Sequence, residues 1–486
     1  MSESRSRKAA SSFAFKLIES VGMQGIAFVV SLLLARLLTP GDYGVLTMLT
    51  VFIAVSQVFV QSGLNTALIQ KKDVDECDTS SVFWVSLGIA AALYALLFAA
   101  SPFIAAYYEM PQLKDALRVL ALVLLPGALV SVESAVVARR MAFRKQMLCS
   151  LAATVLSGCV GVGMALSGMG YWALVGQQLT NQFALAMLLL IVVRWVPRLM
   201  FSWARVKVLI RFGWKLLASS LLDTGYQNLR SAVIGKMFPS DVLGYYNRGK
   251  QFPELMMNAV NGSIQSVMLP VLSEQQDDAA RMKQMMRRSV MVSSFLVLPM
   301  MAGLAAVAQP LIHLLLTEKW LPCVPFLQII CIDFAFYPIH TANLQAINAM
   351  GRSDVMLKLE VIKKTYGLVM LAVTALVFRS VYAIAWGAVV STLLSAVVNA
   401  SPNKKLLDYG YLEQMKDVLP SVAMALIMFA AVSLLGRLSL SPLPMLVVQI
   451  AAGVAVYGGM ALIFRPESAR YLLETGAEIL RKKRNQ

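Results

Sequence analysis

Apolar runs of 18 or more residues recur along the whole of this 486-residue chain, about fourteen in number, centred near residues 27, 55, 90, 124, 157, 182, 222, 258, 297, 334, 367, 390, 426 and 454. A helix of that length crosses roughly 30 Å of hydrocarbon, and hydrocarbon offers no water to an unpaired backbone N–H or C=O. The runs are therefore expected to be helices and the chain an all-α integral membrane protein. The charged fraction agrees: it is 14%, where soluble domains carry about 25%. The connections are mostly about 4 to 17 residues, too short for a soluble catalytic domain, so function is expected within the membrane region.

A net charge of +17 raises the possibility of nucleic acid, but its distribution points elsewhere. With a cytoplasmic N-terminus and fourteen crossings, clusters such as Arg139, Arg140, Arg144 and Lys145 all fall in inside loops. In total 29 of the 43 Lys and Arg residues lie inside, against six outside. This is the positive-inside asymmetry, and it predicts both termini in the cytoplasm. The N-terminal MSESRSRKAASS is followed by no short apolar core with a cleavage site, so no removable signal peptide is expected. The five cysteines form no C-x-x-C pattern and read as packing residues; no metal and no cofactor is predicted.

Internal similarity turns the list of spans into two lobes. ARLLTPGDYG (35–44) precedes GKMFPSDVLG (235–244) by 200 residues, aligning Gly44 with Gly244. FAFKLIES (13–20) resembles FGWKLLAS (212–219), which lays Lys16 near Lys215, and GYWALVGQQ (170–178) resembles SVYAIAWGAVV (380–390). The predicted domains are residues 1–200 with spans 1–6, residues 201–400 with spans 7–12, and residues 401–486 with two extra spans and a basic tail. Six spans is an even number, so the two lobes are expected to be parallel, with a cleft between them.

Eight basic residues remain at bilayer depth, where each would cost roughly 2.5 to 3.5 kcal/mol against lipid. Their spacing shows where they point. Lys215, Ser219, Asp223, Tyr226 and Arg230 follow steps of three and four, as do Lys250, Glu254, Asn258, Asn261 and Gln265. Thinner stripes join Lys16 with Glu19, and Gln57 with Gln61 and Asn65; Arg248, Glu360, Lys363, Lys364 and Asp333 add further ions. Structural ion pairing accounts for single residues as well as function does. For the set, a hydrated, net positive cavity is the better account: its cations suit phosphate oxygens and its amides suit sugar hydroxyls. Substrate contacts are therefore predicted from Lys16, Lys215, Arg230, Arg248, Lys250, Lys363 and Lys364 and from the Asn and Gln residues of the stripes. Glu19, Asp223, Glu254, Asp333 and Glu360 are candidates for ion coupling.

Gly244 to Lys250 fits G-x-x-x-x-G-K, yet Gln251 stands where a P-loop needs Ser or Thr, and no strand pattern leads into it. A membrane glycosyltransferase or polysaccharide polymerase would need clustered acids or histidines on a sizeable loop. The only histidines, His313 and His340, are far apart, and no enzyme activity is predicted.

The segments LLARLLTPGDYGVLTM, VLGYYNRGKQFPEL, VMLPVLSEQQDDAARM, TEKWLPCVPFLQII and AINAMGRSDV resemble the signature stretches of Wzx-type polysaccharide flippases of the MOP superfamily. The resemblance covers nearly the whole chain. It implies a two-lobed, MATE-like fold in the bacterial inner membrane and a polyprenyl-diphosphate-linked oligosaccharide as cargo, with polysaccharide polymerase or assembly proteins as possible partners. The alternative on the same scaffold is a cation-coupled multidrug exporter, whose cationic substrates would want an acidic or aromatic cavity.

Overall fold

The computed structural model describes residues 25–61, 63–273 and 278–472, and every regular element among them is helical. The chain divides into two compact units, Met1–Gly244 and Tyr245–Gln486. The first holds α1 (Gly25–Leu37), α2 (Pro40–Gln61), α3 (Leu64–Gln70), α4 (Glu76–Tyr108), α5 (Gln112–Leu120), α6 (Leu124–Arg139), α7 (Phe143–Leu166), α8 (Tyr171–Val193) and α9 (Trp203–Met237). The second holds most of α10 (Ser240–Ser273), then α11 (Ala279–Ala306), α12 (Ala308–Leu316), α13 (Val324–Ala335), α14 (Tyr337–Ala349), α15 (Ser353–Leu376), α16 (Val381–Leu407), α17 (Tyr411–Leu435) and α18 (Pro442–Phe464). Leu68, Phe83, Val136, Leu189 and Trp195 centre one core of the first unit; Met286, Val290, Ile339, Tyr409 and Met428 centre the second unit's.

Ten segments among the described residues are long and apolar enough to span a bilayer, and α1 is a shorter apolar helix. Three further helices miss that standard: α9, α10 and α15, of 35, 34 and 24 residues. At 1.5 Å per residue each is at least about 36 Å long, so length does not disqualify them. Their charges do, because these are the helices that carry the ionic stripes. The expected count of fourteen is therefore met at ten by length and apolarity together, since apolar length cannot register a span built around polar side chains.

Helix starts account for several of the quoted stretches. In TPGDYG, Thr39 Oγ1 and N donate to Asp42 Oδ2 at 2.7 and 2.9 Å, and Asp42 N donates back to Thr39 Oγ1 at 3.2 Å, a capping box with Pro40 in the first helical turn. Asp75 and Asp78 repeat the device at the start of α4. Arg139 closes the chain after α3 by donating to the carbonyls of Leu68, Ile69, Lys71 and Lys72 at 2.5 to 3.1 Å. The linker before α9 is tied to α4: Ser202 N donates to Ser81 Oγ at 3.0 Å, and Arg205 pairs with Asp75. The Arg205 hydrogen bond and that of the Asp78 backbone hold the Asp75 carboxyl at about 2, below its ordinary 3.8.

Lipid tails are as apolar as leucine, so spans associate through close backbone approach more than through burial. The repeat supplies such an approach. A Cβ on Gly44 would sit 1.9 Å from the carbonyl oxygen of Ser240, and a Cβ on Gly244 would sit 2.0 Å from that of Pro40. Residues 200 apart exchange roles, so the aligned glycines are the two halves of one reciprocal contact. Gly249 makes a similar approach, its added Cβ falling 2.8 Å from Leu327 N and 2.9 Å from Cys323 O. The glycines of the P-loop-like string thus lie inside the continuous helix α10 and serve helix crossings, which excludes a phosphate-cradling loop.

Gly44→Ala and Gly244→Ala should each lower the thermal unfolding temperature in detergent, at a cost of at least about 1–3 kcal/mol. Gly88→Ala, where an added Cβ meets nothing within 4 Å, should be neutral or slightly stabilising. Because the Asp75 carboxyl is depressed, its contribution to the α4–α9 tie is complete above its unfolded value near 3.8 and is lost as pH falls through about 2. Hydrogen-exchange protection over residues 198–205, taken relative to the intrinsic rate at each pH, should therefore fall only below about pH 4.

Candidate functional site

Lys16, Glu19 and the Gln265 side chain lie outside the described residues. On α9 the stripe is uncovered at Lys215, Ser219 and Asp223 and half-buried at Tyr226 and Arg230. Lys215 makes no hydrogen bond or ion pair among the described residues, whereas Asp223 and Arg230 are both engaged. Gln57 on α2 is half-buried, Gln61 at its end is exposed, and Asn65 on α3 keeps a buried Oδ1 without a hydrogen-bond partner.

In the second unit, α10, α13, α14 and α15 bring ions from distant parts of the sequence together. Lys250 and Glu254 stand 4.0 Å apart on successive turns of α10. Lys363 pairs with Glu360 at 2.5 Å on α15, and the Lys363 side chain is only 15% exposed. Glu254, Asp333 and Glu360 all act electrostatically on the Tyr337 hydroxyl, and Lys363 acts on His340. These three acids come from three helices, α10, α13 and α15. Asn261 accepts from Thr341 Oγ1 at 2.7 Å, fixing α10 to α14, while Asn258 is exposed. His340 shares a 3.1 Å hydrogen bond with Asn399, and Lys364 is half-buried and engaged.

Arg248 is placed differently. It is 4% exposed, donates to Gln251 Oε1 at 2.5 Å, and lies 5.6 Å over the Trp320 ring. A guanidinium on an indole face is favourable without any external anion. Two of the span-depth cations, Lys250 and Lys363, also have intramolecular carboxylates, so the second unit's cluster is mixed in sign. A hydrated group of compensated ions is consistent with the cost of burying any one of them alone.

Two polar features had no usable sequence signal. Asn343, Asn403 and Gln414, all fully buried, form an amide knot among α14, α16 and α17, with Asn343 Nδ2 donating to Gln414 Oε1 at 2.7 Å and Asn403 Nδ2 to Asn343 Oδ1 at 2.8 Å. They lie on three different helices, and only the tertiary packing assembles them. The second is a cavity of about 450 Å³ in the first unit, where Gln57 meets Gln177, Gln178, Asn181 and Gln182 of α8. The spacing of the α8 amides was visible, but nothing indicated that Gln57 stood opposite.

Comparison with known proteins places the chain in a family. The family model for polysaccharide biosynthesis protein matches residues 33–325. The chain belongs to that family. It is 26% identical over 460 residues to the lipopolysaccharide biosynthesis protein WzxC of Escherichia coli (strain K12), covering 93% of this chain and 89% of that protein. It is 25% identical to the succinoglycan biosynthesis transport protein ExoT of Rhizobium meliloti (strain 1021), covering 70% and 69%. Among solved structures, the lipid II flippase MurJ in an inward closed conformation superposes with a TM-score of 0.76 at 14% identity, over 92% of this chain and 98% of that one. An inward-facing multidrug resistance MATE transporter of the MOP superfamily gives 0.59 at 14% identity, over 82% and 95%. The protein is therefore a multi-pass membrane protein that shares its fold with MurJ and the MATE transporter.

Glu360→Ala strips Lys363 of its partner and should lower the unfolding temperature in detergent, at about 1–3 kcal/mol after allowance for the exposure of Glu360. Adding Lys363→Ala should restore part of that loss, and a thermal double-mutant cycle measures the coupling.

Proposed function

We propose that this protein is a flippase carrying a polyprenyl-diphosphate-linked oligosaccharide from the cytoplasmic to the periplasmic face of the bacterial inner membrane by alternating access, with both termini in the cytoplasm. One observation carries the reading: the three long helices that fail as apolar spans, α9, α10 and α15, are the ones that bear stripes of ions and amides. A span whose polar side chains are arranged along one face requires water or a polar ligand there. Family membership supplies the class of cargo, since polysaccharide repeat units are built on lipid carriers whose polar heads cannot cross hydrocarbon unaided.

Lys215, uncovered and unpaired among the described residues, Arg230, and Lys250 at the long end of its pair are assigned to the diphosphate. Lys16 is the repeat counterpart of Lys215. Charge-assisted hydrogen bonds from ammonium and guanidinium groups suit phosphate oxygens. The exposed Asn258 and the α2 amides are assigned to sugar hydroxyls. Glu254, Asp333 and Glu360 around Tyr337 are assigned to cation coupling; a cell interior negative by about 100 mV adds roughly 2.3 kcal/mol of outward drive per negative charge. The basic inside loops suit the anionic inner leaflet, and assembly proteins of the same polysaccharide are natural partners there.

A deletion strain should lose surface polysaccharide and accumulate the lipid-linked intermediate, and the wild-type gene should restore both. Arg230→Ala with Lys250→Ala should cut the rescue by about tenfold or more, as loss of charged hydrogen bonds implies. Full rescue by that pair removes the diphosphate assignment. A normal glycan profile in the deletion strain, with new sensitivity to cationic drugs, replaces the flippase with an exporter.

A further inference from the structure

The amide cavity of the first unit has a character unlike the ionic cluster of the second. Its polar lining is Gln57 of α2, Thr154 and Ser157 of α7, and the four amides of α8, and no charged or aromatic side chain among the described residues takes part. It sits at mid-height in its helices: Gln57 is two residues from the midpoint of the Pro40–Gln70 segment, Thr154 lies at the midpoint of α7 and Gln182 at that of α8. A bilayer is driest at that depth, and polar side chains there are rare unless they are used.

Some of the lining satisfies itself. Thr154 Oγ1 donates to Ser150 O at 2.8 Å, Ser157 Oγ to Thr154 O at 3.0 Å, and Asn181 Nδ2 to Ser157 Oγ at 3.2 Å. Gln57, Gln177, Gln178 and Gln182 do not: all four are half-buried, and none makes a side-chain hydrogen bond or ion pair among the described residues. Each primary amide presents two donors and one acceptor carbonyl. Four of them around one cavity form a dense, electrically neutral array of both kinds of group.

That array selects its ligand. Phosphate would want cations, which the lining lacks, and a cationic drug would want acids or aromatic faces, which it also lacks. A hydroxyl is donor and acceptor at once, and a polyhydroxylated ring offers several to such an array. The volume, about 450 Å³, falls within the 300–1,000 Å³ usual for small-molecule sites. The walls are set by tight packing: a Cβ on Gly161 of α7 would lie 3.0 Å from the Gln177 Cβ, and one on Gly158 would lie 2.7 Å from Val30. A cavity held this way is preformed, so little ordering cost falls on the ligand.

We propose that this cavity is a neutral carbohydrate subsite that takes a sugar residue of the cargo, apart from the cations assigned to the diphosphate. It rests on the flippase reading and adds a site of glycan recognition within the first unit, in α2, α7 and α8. Glycan selectivity should then follow the α8 amides and be indifferent to the cations of the ionic stripes.

The test compares two probes on full-length protein in nanodiscs by thermophoresis: bare undecaprenyl diphosphate, and the glycosylated lipid extracted from the deletion strain. Gln178→Leu with Gln182→Leu should weaken the glycosylated probe by about tenfold or more, because a site built to hydrogen-bond hydroxyls loses its discrimination. Bare lipid should stay within about twofold. The Gln178→Ala and Gln182→Ala pair, which cannot overfill the cavity, should behave the same, and size-exclusion profiles confirm folding. Equal loss of both probes, or unchanged binding of the glycosylated one, overturns the subsite while leaving the flippase standing. Wild-type protein that binds neither lipid overturns the cargo assignment and the subsite with it.

Discussion

The constraint on which everything else depends is that hydrocarbon cannot hydrogen-bond. It makes every regular element among the described residues a helix, because only a helix satisfies a lone spanning backbone from within. It also sorts the polar side chains. An ion or amide at bilayer depth must find a partner in the protein, stay wet, or hold a ligand. Asn343 bonds to both Asn403 and Gln414, Lys363 finds Glu360, and the α8 glutamines make no side-chain hydrogen bond among the described residues.

With the hydrophobic effect absent between spans, close approach does the joining. Gly44 and Gly244 admit the opposing carbonyls of Ser240 and Pro40, and the repeat places the glycines at equivalent positions so that one small residue serves each direction. Capping boxes at Thr39–Asp42 and Asp75–Asp78 end the loops tightly. Among the described residues the connections between helices are short and fastened.

The polar inventory divides by chemistry. Ions gather where α10, α13, α14 and α15 meet, and neutral amides gather where α2, α7 and α8 meet. A carrier for an anionic, sugar-bearing lipid needs both kinds of surface, and the two kinds exclude each other locally: a cation placed among the amides would bias them toward anions.

Much of this was legible in the sequence. Apolar length and the lack of water in lipid determined the helical class, the spacing of Lys215, Asp223 and Arg230 determined that they share a face, and the 200-residue offset paired Gly44 with Gly244. These follow from local periodicity, which a helix converts directly into geometry. The burial of Arg248 under Trp320, the knot of Asn343, Asn403 and Gln414, and the meeting of Gln57 with Gln178 and Gln182 were decided by the tertiary structure alone. Periodicity says which residues lie on one side of a helix; which helix stands opposite is set by packing between segments 60 or more residues apart, and a side chain's partner depends on that choice.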